Sequence, residues 1–193
     1  MPTTAPTDED RLVIDSVERF LARDVKPYVH HLEHDDIYPE EIVEGMKALG
    51  LFGSTISPEY GGLGLSAGTY AKVCEAVSRV WMSLAGIFNS QLIMAAAVQR
   101  FGTEGQKQEF LPRFATGELR GGVGLQAHNA GTDLQAIRAV AQRDGSGYRI
   151  NGTKTWITNG IYGNCFAVLV KTDPGAVPRH RGMSLFLCEK GAG

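Results

Sequence analysis

The sequence has few cysteines, and no two of them stand close together. Cys74, Cys165 and Cys188 are the only three in 193 residues. An odd number of widely spaced cysteines excludes a disulfide framework, and it excludes a zinc site built on a Cys-x-x-Cys pair. The first ten residues also lack the basic stretch and apolar core of a secretory signal. Both absences are typical of a reducing compartment, so we expect a cytoplasmic protein.

The chain has neither an excess of one charge nor a long apolar run. Lysine and arginine number 19 and aspartate and glutamate 21, which gives a net charge of -2. Nucleic-acid-binding chains are usually strongly basic, so we predict no nucleic-acid partner. No run of about eighteen apolar residues occurs, and we therefore predict no membrane span. A hydrophobic fraction of 43% indicates a folded protein of one large or two small domains.

Apolar residues recur with helical spacing from residue 8 to about residue 119. Val13, Val17 and Phe20 form one such stripe, after a capping residue at Thr7 or Asp8. A second helix is predicted over 39–49, with Pro39 at its first position and a stop at residue 50. Further helices are predicted over 70–80, 84–98 and 106–114, of which 84–98 is apolar on nearly every face and should be buried. The first part of the chain is therefore predicted to be all helix.

Strand-like alternation replaces the helical spacing after residue 122. Residues 143–147 predict a turn between strands at 136–142 and 148–150, and the pair Asn151-Gly152 predicts a hairpin that leads into 155–158. Alternating residues at 166–170 and 183–187 predict two more strands joined by a loop. The sequence thus predicts an α+β fold, with an all-helical domain over 1–120 and an antiparallel β domain over 121–193.

This β domain is predicted to be incomplete. About five short strands leave sheet edges and one face without a cover. Either another subunit covers them or the chain is part of a longer polypeptide, and we favour the second explanation.

Two features that suggest ligand sites have simpler explanations. His30, His31 and His34 lie near no cysteine or Glu-x-x-His pattern that would complete a metal site, so we predict a polar surface stretch and no metal. The glycine-rich residues 60–64 lack the strand and helix that flank a phosphate-binding loop, so we predict a tight interhelical loop.

Four segments spread over most of the chain carry a family pattern. They are 58–65 (PEYGGLGL), 101–107 (FGTEGQK), 125–133 (LQAHNAGTD) and 151–160 (NGTKTWITNG). In this order they resemble the acyl-CoA dehydrogenase family, and the last segment matches a family hairpin almost residue for residue. Each segment alone is a weak signal, whereas the ordered set is highly specific.

The resemblance implies a fold, a reaction and partners. The family has an N-terminal helical domain, a central β domain and a C-terminal four-helix domain, of which this chain would supply the first and most of the second. Its members are flavoprotein oxidoreductases of fatty acid and lipid metabolism that use FAD to convert an acyl-CoA substrate to the 2,3-enoyl-CoA. A carboxylate of the C-terminal domain is the base, so the resemblance assigns no catalytic residue to this chain. It also implies an electron-transfer flavoprotein as acceptor and a homotetramer, and this chain alone is expected to be inactive.

The same resemblance assigns the flavin contacts residue by residue. In one segment the Trp156 ring would lie against the isoalloxazine, with Ile157 and Thr158 at its N5 edge. The other segment would contribute five positions, of which the last would also contact the thioester side of the substrate: Val123, Leu125, Gln126, Gly131 and Thr132. Without the family pattern, Trp156 would be interpreted as a core aromatic in a strand and 123–132 as an ordinary turn.

The flavin-contacting segment departs from the family pattern at three positions. Gln126 stands where the family usually has a small hydroxyl residue, Ala127 where it has Glu, and His128 where it has Pro. The departure leaves a flavin oxidase on the same scaffold as an alternative. A non-catalytic partner subunit or a truncated product is a further alternative.

Overall fold

A computed structural model describes residues 7–191 of the chain. The chain divides into two compact units, Met1–Leu119 and Arg120–Gly193. The first unit is helical and the second is built on one sheet, so the predicted order of a helical part followed by a β part is confirmed. Each unit is described by itself below.

Residues 7–119 contain five α-helices of the helical unit. They are α1 (Asp8–Phe20), α2 (Val29–His34), α3 (Glu40–Ala48), α4 (Ala67–Phe101) and α5 (Glu104–Ala115). A π-helical turn, Leu21–Val25, continues α1, and short 3-10 turns at Leu51–Gly53 and Pro58–Tyr60 connect α3 to α4. The sequence did not predict α2 or the π-helical turn.

Local capping signals set the ends of these helices. The Thr7 side chain accepts from the Asp10 amide at 3.1 Å, and the Asp10 carboxylate accepts from the Thr7 amide at 2.8 Å. Thr103 and Gln106 form the same reciprocal pair at the start of α5. These capping boxes satisfy amides that the first helical turn leaves without partners. Pro39 is the residue before α3, one position earlier than predicted.

Helix α4 is bent sharply at Trp81. The backbone there is non-helical, with φ -155° and ψ 104°. The Tyr70 hydroxyl nevertheless donates to Asn89 Oδ1 at 2.6 Å, although nineteen residues of straight helix would separate the two by roughly 28 Å. The two arms of α4 therefore fold back on each other, in agreement with the two separate helices that the sequence predicts over 70–80 and 84–98.

The second arm of α4 forms the centre of the helical unit. Its fully buried residues include Leu84, Phe88 and Met94. Gln91 is also fully buried, and its Nε2 donates to the carbonyls of Phe114 at 3.0 Å and Leu119 at 2.7 Å. One polar side chain thus joins the core helix to the end of the unit.

By length and composition, α4 could cross a membrane, and it is the single such helix in the described part of the chain. Half of the apolar eighteen-residue stretch of α4 is buried within the protein. The core helix of a soluble protein passes the same test, so this feature is weak evidence for a span.

Residues 120–191 of the second unit form a five-stranded mixed sheet. Its strands are β1 (Gly121–Gly124), β2 (Val140–Asp144), β3 (Gly147–Asn151), β4 (Cys165–Lys171) and β5 (Met183–Glu189). The path is β1-β4-β2-β3, and β5 also pairs with β4. β4 is parallel to β1 and β2 and antiparallel to β5, while β2 and β3 form an antiparallel hairpin. The prediction of a purely antiparallel sheet is therefore wrong.

The predicted Asn-Gly hairpin is also wrong. β3 ends at Asn151, and 152–155 form no strand. The turn predicted over 143–147 is confirmed: it closes the β2–β3 hairpin, in which Asp144 pairs with Gly147. However, β2 begins at Val140 rather than residue 136, because Leu134–Ala136 form a 3-10 turn capped by the Asp133 side chain.

Replacing Gln91 by leucine should lower the free energy of unfolding of the helical unit by about 2 kcal/mol, because the Leu119 carbonyl loses its side-chain donor and the Phe114 carbonyl keeps only the Gly117 amide. Urea denaturation followed by far-UV circular dichroism measures this change. The control is Gln108→Leu, which removes an exposed bond to Glu104 and should cost less than about 0.5 kcal/mol. Equal effects of the two substitutions would contradict the role given to Gln91.

Candidate functional site

The site is built at the end of β1, where the chain leaves the sheet. β1 lies parallel to β4, with Gly121 opposite Cys165 and Gly124 opposite Val168. A Cβ at Gly121 would stand 1.5 Å from the Cys165 carbonyl oxygen. Only glycine permits this approach, so the first strand is fixed closely against the centre of the sheet.

A tight turn follows β1. The amide of Ala127 donates to the carbonyl of Ala130 at 2.9 Å, and the amide of Ala130 donates back to Ala127 at 3.0 Å. His128 and Asn129 stand exposed at its tip, and Asn129 Nδ2 donates to the Ala136 carbonyl at 2.7 Å. The segment predicted to contact flavin is therefore an ordered turn.

Two hydrogen bonds join this segment to the one that follows β3. Lys154 Nζ donates to the Leu125 carbonyl at 2.8 Å. The Thr155 amide donates to the Gln126 carbonyl at 3.1 Å. Two stretches that lie about thirty positions apart in the sequence are thereby held side by side, and we call this pair of bonds the loop junction. Sequence reasoning assigned no role to Lys154, because a lysine-to-carbonyl bond over this separation has no local signal.

Burial affects the Lys154 ammonium. The side chain is half-buried, and desolvation lowers the pKa of its ammonium group. Lys154 also lines a cavity of about 290 Å³ in which Phe166, Val168 and Cys188 provide much of the wall. A cation partly removed from water binds its carbonyl acceptor more strongly than an exposed one does.

Trp156 follows the loop junction directly, and packing does not explain why an aromatic residue stands at this position. Its side chain is 90% exposed, and its backbone has φ +57°. A bulky residue with positive φ is strained by about 1–3 kcal/mol. An exposed indole gains little burial in return, so the interpretation as a core aromatic is wrong.

The remaining predicted contacts lie within a few residues of the junction along the two loops. Gln126, Gly131, Thr132 and Thr158 are exposed, whereas Val123, Leu125 and Ile157 are half-buried. Within residues 7–191, the amides of Gln126, Trp156, Ile157 and Thr158 donate no hydrogen bond. The structure joins the two loops that carry the predicted residues, and the individual contacts of these residues with flavin stay predictions.

These features fit a planar, polar cofactor such as FAD. The exposed indole offers a flat apolar surface, and the four amides offer donors to ring oxygens and nitrogens. A Cβ at Gly131 would meet only Gln126 Nε2, at 4.0 Å, and no left-handed φ requires glycine there. The fold itself does not need glycine at this position, which leaves open space for a ligand. In the described part of the chain, no group of three or more His, Cys, Asp or Glu could hold a metal ion.

The fold and the site define a class of protein: a helical domain followed by a mixed-sheet domain in which two loops are joined by hydrogen bonds. Family models agree with this class. Residues 7–118 match the acyl-CoA dehydrogenase N-terminal domain, and residues 123–193 match the acyl-CoA dehydrogenase middle domain. The chain therefore belongs to the acyl-CoA dehydrogenase family.

Individual relatives agree with the family assignment. The short-chain specific acyl-CoA dehydrogenase of Clostridium acetobutylicum is 36% identical over 96% of this chain and 48% of its own length. The first curated relatives are matched over only about a third to a half of their length.

Solved structures share the fold. One reported for the electron transferring flavoprotein of Acidaminococcus fermentans has a TM-score of 0.91 and 30% identity, and it is matched over 99% of this chain and 50% of its own. A glutaryl-CoA dehydrogenase from Mycobacterium smegmatis in complex with FADH2 has a TM-score of 0.85 and 29% identity, over 96% of this chain and 46% of its own.

Replacing Trp156 by asparagine should stabilise the protein without flavin by about 1 kcal/mol, because asparagine tolerates positive φ. The same substitution should weaken flavin binding at least tenfold, since the ring surface is lost. Thermal unfolding of the flavin-free protein and titration with FAD measure the two effects.

The matched control is Ile161→Asn, which removes an 81% exposed apolar side chain from the same region. It should leave the FAD affinity unchanged within about twofold, which is the spread of single surface substitutions. A Trp156→Asn protein that binds FAD as the wild type does would contradict the placement of the indole.

Proposed function

We propose that the protein oxidises an acyl-CoA thioester to the 2,3-enoyl thioester with FAD as its cofactor. Membership of the acyl-CoA dehydrogenase family supports the reaction class. The observation that carries the proposal is the loop junction, which holds the exposed Trp156 next to the turn after β1. Bound FAD supplies the hydride acceptor for the oxidation.

In the proposed reaction, the residues of this chain bind and orient FAD and the acyl-CoA substrate. Trp156 would cover one face of the FAD ring system, and the amides around Gln126 and Thr158 would donate to its polar edge. Thr132 would contact the thioester side of the substrate. The carboxylate that removes the α-proton is proposed to come from outside residues 1–193, as the family pattern implies.

The electron acceptor and the assembly belong to the same proposal. Similarity to the structure reported for the electron transferring flavoprotein of Acidaminococcus fermentans supports such a flavoprotein as the partner that reoxidises FAD. A homotetramer follows from the family resemblance. The cytoplasmic location stays a prediction.

A flavin oxidase is the second candidate function. Gln126 takes the place of a hydroxyl residue in the turn, and its side chain is exposed at the junction, next to Gly131. A changed hydrogen-bond donor at the flavin changes how the reduced ring is stabilised. In the oxidase, dioxygen would be the electron acceptor that reoxidises this ring.

Anaerobic mixing of the purified full-length gene product with a series of acyl-CoA thioesters tests the reaction. The yellow flavin absorbance should bleach with at least one straight or branched acyl-CoA. Pivaloyl-CoA is the matched control, because it has no α-hydrogen and should cause no bleaching. In air, hydrogen peroxide release would favour the oxidase, and its absence together with reduction of an electron-transfer flavoprotein would favour the dehydrogenase. A purified protein that holds no flavin after reconstitution with FAD would overturn both.

A further inference from the structure

A cavity of about 630 Å³ lies in the helical unit, between the end of α1, α2 and the start of α3. The volume is typical of small-ligand sites. No lysine or arginine is among the described residues that line it. Three of the lining residues are phenylalanine or tyrosine and three are acidic: Phe20, Tyr28, Tyr38, Asp24, Glu40 and Glu41.

The end of α1 forms one wall of this cavity. Phe20, Asp24 and Tyr28 follow one another at intervals of four positions through the π-helical turn Leu21–Val25, and all three line the cavity. Residues four positions apart lie on one face of a helix, and π-helical turns occur frequently at functional sites. The turn thus places two aromatic rings and a carboxylate on the same wall.

A glycine of α3 sets the shape of the opposite wall. A Cβ at Gly45 would stand 2.5 Å from Phe20 Cε2. Phe20 is buried, so its ring packs directly on the α3 backbone. Any larger side chain at position 45 would displace this ring, and the cavity therefore depends on glycine there.

Large apolar side chains remain exposed along the cavity. Tyr28 is 54% exposed and Ile37 is 44% exposed, and both line the cavity. The Ile37 amide donates to the Leu32 carbonyl at 2.9 Å, which fixes the chain between α2 and α3 beside it. Apolar walls with a few convergent polar groups are typical of sites that bind a small molecule.

The charged groups of the lining are negative. Arg23 donates to both carboxylate oxygens of Asp24 at 2.7–3.0 Å, and this contact lowers the pKa of Asp24. The Asp24 carboxylate is thereby held in one position and ionised. Glu41 forms no ion pair and no side-chain hydrogen bond within residues 7–191. Carboxylates around a concave surface create a negative potential that concentrates cations.

We propose that this cavity binds an organic cation, an ammonium group attached to an apolar body. Aromatic faces attract cations through the ring quadrupole, and Asp24 and Glu41 supply the opposite charge. The apolar body packs against Leu32, Ile37 and Ile42, which also line the cavity.

Other ligand classes fit the cavity less well. An anion meets carboxylates and no lysine or arginine there. A metal ion finds no ligand set, because residues 7–191 contain no group of three or more His, Cys, Asp or Glu that could hold one. A cavity of about 630 Å³ also suits a small molecule better than a protein surface, which buries a far wider area.

Isothermal titration calorimetry of the full-length gene product tests this site with two probes of the same shape. (4-Hydroxyphenyl)trimethylammonium carries the cation, and 4-tert-butylphenol is its neutral counterpart with carbon in place of nitrogen. The wild type should bind the cationic probe at least about tenfold more tightly than the neutral one. Binding of the cationic probe should also weaken as NaCl rises, because salt screens the attraction.

The test variant is Tyr28→Leu/Glu41→Gln, which removes one aromatic face and one charge from the lining. It should weaken binding of the cationic probe about tenfold or more and change binding of the neutral probe by less than about twofold. The matched control is Glu33→Gln/Tyr148→Leu, since neither residue lines the cavity. The control should leave both affinities unchanged within about twofold.

Three results would overturn the proposal: no binding of the cationic probe by the wild type, equal affinities for the two probes, or equal losses in the test and control variants. If the test variant does not fold, the preference of the wild type between the two probes and its salt dependence still decide. The inference does not rest on the proposed function, because all the residues that carry it belong to the helical unit. Failure of that function would appear instead as absent flavin bleaching with acyl-CoA thioesters.

Discussion

The candidate site depends on two hydrogen bonds between two loops. Lys154 donates its ammonium to the Leu125 carbonyl, and the neighbouring Thr155 amide donates to the Gln126 carbonyl. Neither loop is part of a strand at this point, so the sheet does not fix their relative position. Partial burial strengthens the lysine bond, because little water competes for the same donor and acceptor. Together with the bond from Asn159 Nδ2 to the Gly121 carbonyl at 2.8 Å, this junction sets the position of Trp156 relative to the turn after β1.

Strain and exposure are concentrated next to this junction. The adjoining sheet shows neither feature, since Gly121 packs against Cys165 and β4 has a paired strand on each side. Directly after the junction, by contrast, Trp156 has a positive φ and an exposed ring. A strained backbone at a side chain that gains no packing is typical of a residue that binds a ligand.

Short-range signals made the helices and several strands predictable, whereas long-range pairing did not follow from them. Thr7 and Thr103 cap helices as their types predict, and the alternation at 166–170 and 183–187 becomes β4 and β5. The parallel strand β1 is nearly all glycine and carries no alternation, so its partner could not be predicted. The Asn151-Gly152 signal failed because Gly152 sits against Ala139 and the following residues bond to the turn after β1 instead. The family pattern identified both loops, but only the structure shows that Lys154 joins them.

The central claim is that these two loops form one wall of a single flavin site. Amide hydrogen exchange of the full-length protein, with and without FAD, tests it most directly. The amides of Gln126, Trp156, Ile157 and Thr158 have no acceptor within residues 7–191 and should exchange fast in the flavin-free protein. The account predicts that FAD slows exchange in both loops together. Protection of one loop while the other stays unchanged, or of neither, would contradict it.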